Sequence, residues 1–353
     1  MSRPPAPEQS SRPLLSVCIP AYNRAAQLPA LLDSIVAQDF ADYECIVAED
    51  CSPEREAIRA VVERYAAAHP GTFRFHANAT NLGYDGNLRQ LIALAAGRYV
   101  MLMGNDDLVA EGAFAAVAAG IAKHGEVGAI LRAYTFFRDD PSRPEQVNRF
   151  FPSERVIPAG RAAILACYRR FVAVSGIVLH RDAAAAVATD AYDGLVFYQL
   201  WAASAGLAER PALYLPTILA HFRRGGTPEF GSSAAERAHF TPGTFTLPQQ
   251  VQVVRGFFAV AEAVERRHAL PGLAEEIRRD FARYSYHTLS HFARDGRAAL
   301  WRSYRAFAEF GLGRSAWYHA WFLMLFVLGA RLSDGVIQLL RRRLGFTPNL
   351  TRG

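Results

Sequence analysis

Short apolar runs alternate with longer amphipathic segments between Leu14 and Leu131. The apolar runs have the length of strands, and the segments between them repeat apolar residues at helical spacing, as Leu28, Leu31 and Ile35 do. Such alternation joins parallel strands through right-handed crossovers, so the sequence predicts an α/β fold with a mainly parallel, Rossmann-like sheet flanked by helices. The predicted strands are 15–20, 43–48, 73–77, 99–103 and 127–131, and the predicted helices are 27–39, 52–68, 88–95 and 111–124, the second with Ser52 as its N-cap.

The alternation weakens after residue 139, where residues 139–158 are predicted to form a loop. Two further strands, a helix and a basic, glycine-rich loop follow, and the rest of the chain has helical periodicity. We therefore expect an α/β domain over residues 14–240 and a helical region over residues 245–353. The predicted strands are 175–180 and 212–215, the helices are 195–205, 249–269, 273–294, 297–310 and 315–343, and the loop is 221–233.

The composition suits a folded protein with an anionic partner. Of the 353 residues 51% are hydrophobic, and the formal net charge of +6 favours nucleotide sugars, acidic lipid surfaces or nucleic acid as partners. Nucleic acid is not expected, because no basic stripe interleaved with aromatic residues is present. The four cysteines lack metal-ligand spacing and are expected to be buried thiols in a reducing, cytoplasmic compartment. Residues 1–13 are expected to be a disordered leader and not a signal peptide, because they lack an apolar stretch.

The last predicted helix has no Asp, Glu, Lys or Arg between Arg314 and Arg331. A helix of that length spans roughly 24 Å, less than the roughly 30 Å of a hydrocarbon core, so it is not expected to cross a membrane. It either closes the core of the helical region or lies in the membrane interface, with the basic triplet 341–343 facing anionic lipid.

Adjacent carboxylates follow the apolar run 99–103, in the motif Gly104-Asn105-Asp106-Asp107. In an open α/β sheet, ligands bind at the carboxyl ends of the strands. Two neighbouring carboxylates repel unless a cation offsets them, and hard oxygen ligands suit Mg²⁺ or Mn²⁺ bound to a phosphate. The alternative is an Asx turn that precedes the next helix.

Two more polar clusters end predicted strands, and all three are expected at the same edge of the sheet. Tyr22 could pack on a nucleotide base, Asp50 could accept a base N–H, and the Asp106-Asp107 pair could hold ribose and metal. Ordinary loop chemistry at each strand end is the alternative. The chain has neither a P-loop motif nor a G-x-G-x-x-G motif after the first strand, which disfavours P-loop NTPases and Rossmann dinucleotide enzymes.

Four motifs occur in order along the first part of the chain. They are Ser16-Val17-Cys18-Ile19-Pro20-Ala21-Tyr22-Asn23, Glu49-Asp50-Cys51-Ser52, Asn81-Leu82-Gly83 with Asn87, and Gly104-Asn105-Asp106-Asp107. Taken together, these motifs resemble the family 2 glycosyltransferases of GT-A fold. The resemblance is good over residues 14–132 and loose over residues 180–233, and it is nearest to the abequosyltransferase-like branch that builds O-antigen and related surface glycans.

The resemblance implies inverting transfer of a sugar from a nucleotide-diphosphate donor, with Mg²⁺ or Mn²⁺. The acceptor would be a glycan or a polyprenyl-diphosphate-linked glycan, and the enzyme would work in the cytoplasm, as a peripheral protein of the inner membrane. Many family members have Asp at the position of Gly104. The implied donor-binding residues are Pro20, Ala21, Tyr22, Asn23, Asp50, Asn81, Gly83, Asn87 and Asp106, and the implied metal ligands are Asp107 and Asp106.

The same resemblance places the catalytic base on a carboxylate in the second half of the domain. Asp193 and Asp190 are the candidates, and helix capping is the alternative for Asp193. In the basic loop, His221 could add a metal ligand while Arg223 and Arg224 meet the diphosphate; a solvated basic loop is the alternative. Residues 225–233 have the composition of a flap over the donor. Other functions left open are a sugar-nucleotide pyrophosphorylase and a non-catalytic nucleotide-sugar binding protein.

Overall fold

The computed structural model describes residues 12–226, 229–244 and 246–344, with side chains up to Leu339. The strands in these ranges are β1 Leu15–Ala21, β2 Tyr43–Glu49, β3 Phe73–Ala77, β4 Tyr99–Leu102, β5 Leu108–Val109, β6 Ala129–Phe137, β7 Gln146–Asn148, β8 Arg155–Ile157, β9 Ile177–His180 and β10 Ala212–Arg223. The helices are α1 Leu28–Val36, α2 Arg55–Ala68, α3 Gly83–Leu94, α4 Ala113–His124, α5 Arg161–Cys167, α6 Arg181–Ala185, α7 Tyr198–Glu209, α8 Leu247–His268, α9 Leu273–Arg283, α10 Tyr286–Ala293, α11 Arg297–Ala308 and α12 Ala316–Leu344.

The strands form one mixed sheet in the order β3-β2-β1-β4-β9-β6-β10-β5, with β7 beside β6 and β8 beside β10. The strands β3, β2, β1 and β4 are parallel, and so are β6 and β10. Strand β9 is antiparallel to both of its neighbours. The expected α/β architecture with a helical C-terminal region is confirmed.

Hydrophobic cores cover both faces of the sheet. In β1, Val17 and Ile19 pack into the core under α1, α2 and α4, whereas Cys18 faces the core under α3, α7 and the C-terminal helices. Successive side chains of a strand face opposite sides of the sheet, and here both sides are buried. The parallel strands are therefore nearly continuous apolar runs. Cys18, Cys45 and Cys167 are buried thiols, as expected, whereas Cys51 is exposed.

Several predicted boundaries are wrong. Helix α2 begins at Arg55 with Glu54 at its N-cap, and the backbone N–H of Ser52 instead donates to the Glu49 carboxylate at 2.6 Å. The predicted loop 139–158 contains β7 and β8, and the predicted helix 273–294 is divided into α9 and α10. His221 and Arg223 lie in β10, which continues past two register shifts, and therefore not in a loop.

The last two residues of the predicted leader contact the α/β domain. Residues 1–11 lie outside the described residues, but Arg12 is bound to the domain through Asp182 at 3.0 Å and the Ala96 carbonyl at 2.8 Å. Pro13 follows it and accepts a backbone hydrogen bond from Arg98 at 2.9 Å.

Helix α12 is longer and more exposed than a core helix. Residues Ala316–Leu339 have a mean hydropathy of 1.6 and are long and apolar enough to cross a membrane. Only 17% of this apolar stretch is buried in the protein. Gly329, with φ 74° and ψ 168°, interrupts the helix. The Leu323, Val327 and Leu332 side chains are 60%, 61% and 66% exposed. Closing the core therefore does not account for most of this helix.

Candidate functional site

A cavity of about 250 Å³ lies where β1, β2 and β4 end at the same edge of the sheet. We call it the edge cavity. Most residues expected from the sequence to bind a nucleotide meet here, although they come from four separate stretches of the chain. Its wall includes Pro20, Ala21, Tyr22, Arg24, Asp50, Asn81, Gly83, Asn87, Gly104, Asp106, Asp107, Val174, Glu229, Phe230 and Glu236.

Asp50, at the end of β2, fixes the backbone of the neighbouring wall. Its Oδ1 accepts from Leu82 N and Asn78 Nδ2, both at 2.8 Å, and its Oδ2 accepts from Gly83 N at 2.8 Å. Burial raises the pKa of this carboxyl group, and the three donated hydrogen bonds oppose the rise. Asn87 completes the network by accepting from Asn78 at 3.0 Å and donating to the Ala48 carbonyl at 2.9 Å.

Gly83 begins α3 at a point where a second segment of the chain closes over it. Its φ is +74°, and an added Cβ would lie 2.4 Å from Ser233 Oγ and 2.9 Å from Glu236 Oε1. The buried Glu236 accepts from Tyr84 N at 2.7 Å and from Gly231 N at 2.9 Å. The segment that follows the predicted flap thus binds to the start of α3. Residues 227–228 of the flap lie outside the described residues.

Asp107 is buried and held by two donors. Ser175 Oγ donates to its Oδ2 at 2.5 Å, and the Arg223 backbone N–H donates to its Oδ1 at 2.8 Å. Burial and then the charge of Asp106 raise the pKa of this carboxyl to about 7. An added Cβ on Gly104 would lie 3.2 Å from both Asp107 Oδ2 and Ser175 Oγ, so a larger residue there would press on the hydrogen bond between them.

Asp106 forms an ion pair with Arg24, whose Nη1 lies 2.8 Å from Asp106 Oδ2. Both Asn23 and Arg24 adopt positive φ, 55° and 64°, which turns the Arg24 side chain back from the end of β1 towards the carboxylate. Gly226 covers the pair, because an added Cβ there would lie 3.2 Å from Asp106 Oδ2. Asn23 contributes its carbonyl, which accepts from Asn105 Nδ2 at 2.9 Å.

The carboxylate pair fits a divalent cation only in part. Within the described ranges, no three His, Cys, Asp or Glu side chains are grouped so that they could hold a metal ion. His221 does not complete such a group with Asp106 and Asp107: its Nδ1 lies 2.7 Å from Thr135 Oγ1, and burial lowers its pKa. The two hard oxygen donors nevertheless suit Mg²⁺ or Mn²⁺ when a diphosphate supplies further oxygens.

The other expected residues lie off the cavity wall. Both Asp193 oxygens face the Arg89 guanidinium, with Nη2 at 2.9 Å from Oδ2, and Asp190 is exposed. Arg223 binds the Asp106 carbonyl through Nε at 3.1 Å. Arg224 is paired with Glu145 at 3.4 Å and therefore does not point to a diphosphate in the cavity.

The sequence did not indicate roles for Arg24, Ser175, Glu229 and Glu236. Arg24 directly follows the motif that ends at Asn23, but its ion pair with Asp106 depends on two positive φ angles. Ser175 lies 68 positions from Asp107, and Glu236 lies 152 positions from Tyr84. Local periodicity gives no signal for such contacts.

Comparison with known proteins agrees with this geometry. Residues 16–183 match the model of glycosyl transferase family 2. Residues 16–183 form a family 2 glycosyltransferase domain. The chain is 35% identical over 104 residues to abequosyltransferase RfbV of Salmonella typhimurium, covering 29% of this chain and 31% of the relative. It is 28% identical over 144 residues to the minor teichoic acid biosynthesis protein GgaB of Bacillus subtilis, covering 40% of this chain and 16% of the relative. The match thus spans less than a third of either relative.

The fold is shared with S. aureus TarS. The structure of TarS 1-349 in complex with UDP-GlcNAc superposes with a TM-score of 0.52 at 14% identity, covering 95% of this chain and 93% of that chain. The family and GT-A fold expected from the sequence are confirmed.

Proposed function

We propose that this protein is an inverting, metal-dependent glycosyltransferase that uses a nucleotide-diphosphate sugar. One observation carries the proposal: the Asp106-Asp107 pair, the Asp50-fixed wall and Tyr22 surround a single cavity at the carboxyl ends of the parallel strands. The family match and the UDP-GlcNAc named for TarS support the donor class. A pyrophosphorylase is disfavoured by the same match.

The base and ribose would occupy the side of the edge cavity near Tyr22 and Asp50. Asp50 keeps a lone pair on Oδ2 after accepting from Gly83, which leaves it able to accept a base N–H. Asn81 and Asn87 border the same region. Asp106 would bind ribose or metal, and Arg24 would turn to the diphosphate when the carboxylate takes a cation.

A bound Mg²⁺ or Mn²⁺ would neutralise the charge that develops on the nucleoside-diphosphate leaving group. Asp107 and Asp106 would hold it. Burial keeps these carboxylates in a low-dielectric site, where their interaction with a cation is stronger than in water.

The acceptor hydroxyl requires a base within hydrogen-bond reach. Asp193 and Asp190 are the candidates from the sequence, but the Arg89 guanidinium hydrogen-bonds both Asp193 oxygens, and neither aspartate lines the edge cavity. Glu229 lies on the cavity wall. We therefore propose Glu229 as the base and assign Asp193 to positioning.

A lipid-linked glycan on the cytoplasmic face of the inner membrane is the proposed acceptor. The exposed apolar side chains of α12 support peripheral contact with an anionic membrane. The names of RfbV and GgaB place relatives of this domain in abequose transfer and teichoic acid biosynthesis, which supports an acceptor in a surface polysaccharide.

The test is a thermal-shift panel of nucleotide sugars with and without Mn²⁺, followed by a transfer or hydrolysis assay of the stabilising donor. We expect one donor to stabilise the protein only with Mn²⁺, and Asp107→Asn to abolish this. Stabilisation without any turnover in the presence of acceptor extracts would instead favour a non-catalytic binding protein. No stabilisation by any donor would contradict the proposal.

A further inference from the structure

A second cavity, of about 510 Å³, lies outside the site described above, between β8, α5 and α9. We call it the arginine groove. Its floor and one wall are apolar, including Phe151, Val156 and Leu165. Its charged lining consists of Arg155, Arg170, Arg279, Arg283, Glu276 and Asp280.

The two acidic residues are neutralised from outside the groove. Arg161 lies 2.5 Å from the Glu276 carboxylate, and Arg169 lies 2.7 Å from that of Asp280. Neither of these arginines belongs to the lining. With four arginines and two acids that are already paired outside it, the lining of the groove carries a net positive charge.

Among the described residues, none of the four groove arginines takes part in an ion pair within 4.0 Å. Arg170 stacks against Phe151 at 5.4 Å, and its buried Nε has no hydrogen-bond partner. Arg155 lies over the same ring at 4.7 Å. Arg279 and Arg283 are four positions apart on α9 and thus share one helix face.

The groove lies between the edge cavity and the apolar helix α12. At one end, the Arg283 carbonyl accepts from Trp321 Nε1 of α12 at 2.8 Å. At the other, Arg170 is four residues before Val174, which lines the edge cavity, a reach of at most about 14 Å of chain. The buried Arg132 fixes this connection by donating to the Arg170 and Ser175 carbonyls at 3.2 and 2.9 Å.

We propose that the arginine groove binds the phosphate group of the acceptor, and that the apolar wall and α12 hold an apolar chain attached to that phosphate. The inference rests on the proposed function, because it assigns the acceptor's chemical class. Arginines bind phosphate through paired charge-assisted hydrogen bonds, and four of them beside an apolar wall match a phosphate ester of a long-chain alcohol.

The experiment measures binding of dodecyl phosphate, below its micelle concentration, to the full-length protein by calorimetry. We expect Arg279→Ala/Arg283→Ala to weaken binding at least tenfold, because each substitution removes charged hydrogen bonds. Trp321 donates to the backbone carbonyl of Arg283, so replacing the side chain leaves that hydrogen bond in place. Arg302→Ala, at an exposed arginine on α11, is the matched control and should bind as the wild type does.

Two further ligands distinguish the contribution of the phosphate group to binding from that of the alkyl chain. Inorganic phosphate should bind more weakly than dodecyl phosphate, and a neutral dodecyl glycoside should not depend on Arg279 or Arg283. Equal binding of dodecyl phosphate to wild type and double variant, or binding of the neutral amphiphile as tight as that of the phosphate, would overturn the inference.

The donor provides an independent readout. The double variant should keep the wild-type thermal shift with nucleotide sugar and Mn²⁺, while KM for the acceptor rises and kcat changes little. If no nucleotide sugar stabilised the wild-type protein, the proposed function would be contradicted. If the double variant kept the wild-type KM for the acceptor and the wild-type affinity for dodecyl phosphate, only the role of the arginine groove would be contradicted.

Discussion

Arg89 of α3 and Asp193, just before α7, form a two-pronged ion pair that joins two parts of the chain 104 positions apart. Arg89 Nη1 also donates to the Thr189 carbonyl at 3.0 Å, and its guanidinium lies 5.9 Å from the Tyr198 ring centroid. The pair thereby sets the approach of the 189–198 segment to α3, whose first turn forms a wall of the edge cavity.

We predict that Asp193→Asn lowers the free energy of unfolding and changes kcat little. The pair is about one-fifth exposed on both sides, so its loss should cost about 1–3 kcal/mol, between the values for surface and buried pairs. Urea unfolding measures this cost. Glu229→Gln should have the opposite profile, with near-normal stability and a fall in kcat of at least about a hundredfold.

The two variants are compared per folded molecule, with donor binding as the common control. If Asp193→Asn were fully folded, bound donor normally and had no turnover, Asp193 would be the base and Glu229 would not. Arg89→Ala should reproduce the stability loss of Asp193→Asn, and the double variant should cost little more than either single one.

Gly83→Ala should weaken donor binding by displacing the segment that covers the start of α3. The new Cβ would overlap Ser233 Oγ, at 2.4 Å, and press on Glu236, whose carboxylate holds Gly231 and Tyr84. Gly71→Ala is the matched control, because it has a similar φ of +84° with no heavy atom within 4 Å. Both variants carry the same type of backbone strain, of order 1 kcal/mol.

Calorimetric titration with the stabilising nucleotide sugar checks this prediction. We expect at least a tenfold weaker donor affinity for Gly83→Ala and an unchanged affinity for Gly71→Ala. Equal affinities in the two variants would mean that the contact between the 229–240 segment and α3 does not shape the donor site.

Sequence patterns located much of the site because its parts follow strands. Asp50 and the Asp106-Asp107 pair each come directly after an apolar run, and parallel strands bring such ends to one edge. Periodicity also predicted that the C-terminal region is helical, which the helices α8 to α12 confirm. The family resemblance added Asn81, Gly83 and Asn87, which line the same cavity.

The remainder depends on contacts distant in sequence. The family resemblance makes Asp193 a candidate base, but Arg89 binds both of its carboxylate oxygens. His221 was expected in a loop because β10 passes through irregular register, which breaks the alternation on which strand prediction depends. Glu236 is one acidic residue in a polar stretch, and only the folded chain brings it to Tyr84 N.

We predict that Asp85 makes stability depend on pH near neutrality. Asp85 accepts from Val196 N at 2.7 Å and Tyr198 N at 2.8 Å, and burial raises its pKa to about 7. Because the unfolded carboxyl has its ordinary pKa, the folded state binds a proton first as the pH falls. Stability from this group is therefore fully present only below the ordinary carboxyl pKa of 3.8, and it is lost as the pH rises from there through about 7.

The measurement is the free energy of unfolding of wild type minus that of Asp85→Asn between pH 8 and pH 5. This difference should increase as the pH falls, and the contribution of Asp107, which titrates in the same range, cancels because both proteins contain it. A difference that is constant with pH would show that Asp85 does not change its protonation on folding in this range.

Arg24 should compete with a metal ion for Asp106. Its Nη1 lies 2.8 Å from Asp106 Oδ2, so Arg24→Ala removes a positive charge next to the carboxylate. We predict about tenfold tighter Mn²⁺ binding to the nucleotide-free protein, measured by electron paramagnetic resonance, and weaker donor binding. Arg55→Ala is the control, because it breaks a different ion pair, that of Arg55 with Glu49 at the end of β2, at 2.6 Å. Unchanged Mn²⁺ affinity in Arg24→Ala would argue against Asp106 as a ligand.

Helix α12 should bind anionic vesicles through its exposed apolar residues. Leu323 and Leu332 are 60% and 66% exposed, and returning them to an apolar phase would contribute about 1 kcal/mol or more each. Leu323→Gln/Leu332→Gln should therefore reduce co-sedimentation with phosphatidylglycerol vesicles by about tenfold or more, with stability unchanged because both side chains are already exposed. Val147→Gln/Val172→Gln, at valines 44% and 43% exposed outside α12, should sediment as the wild type does. Equal sedimentation of both double variants would assign the apolar face of α12 to a role other than membrane contact.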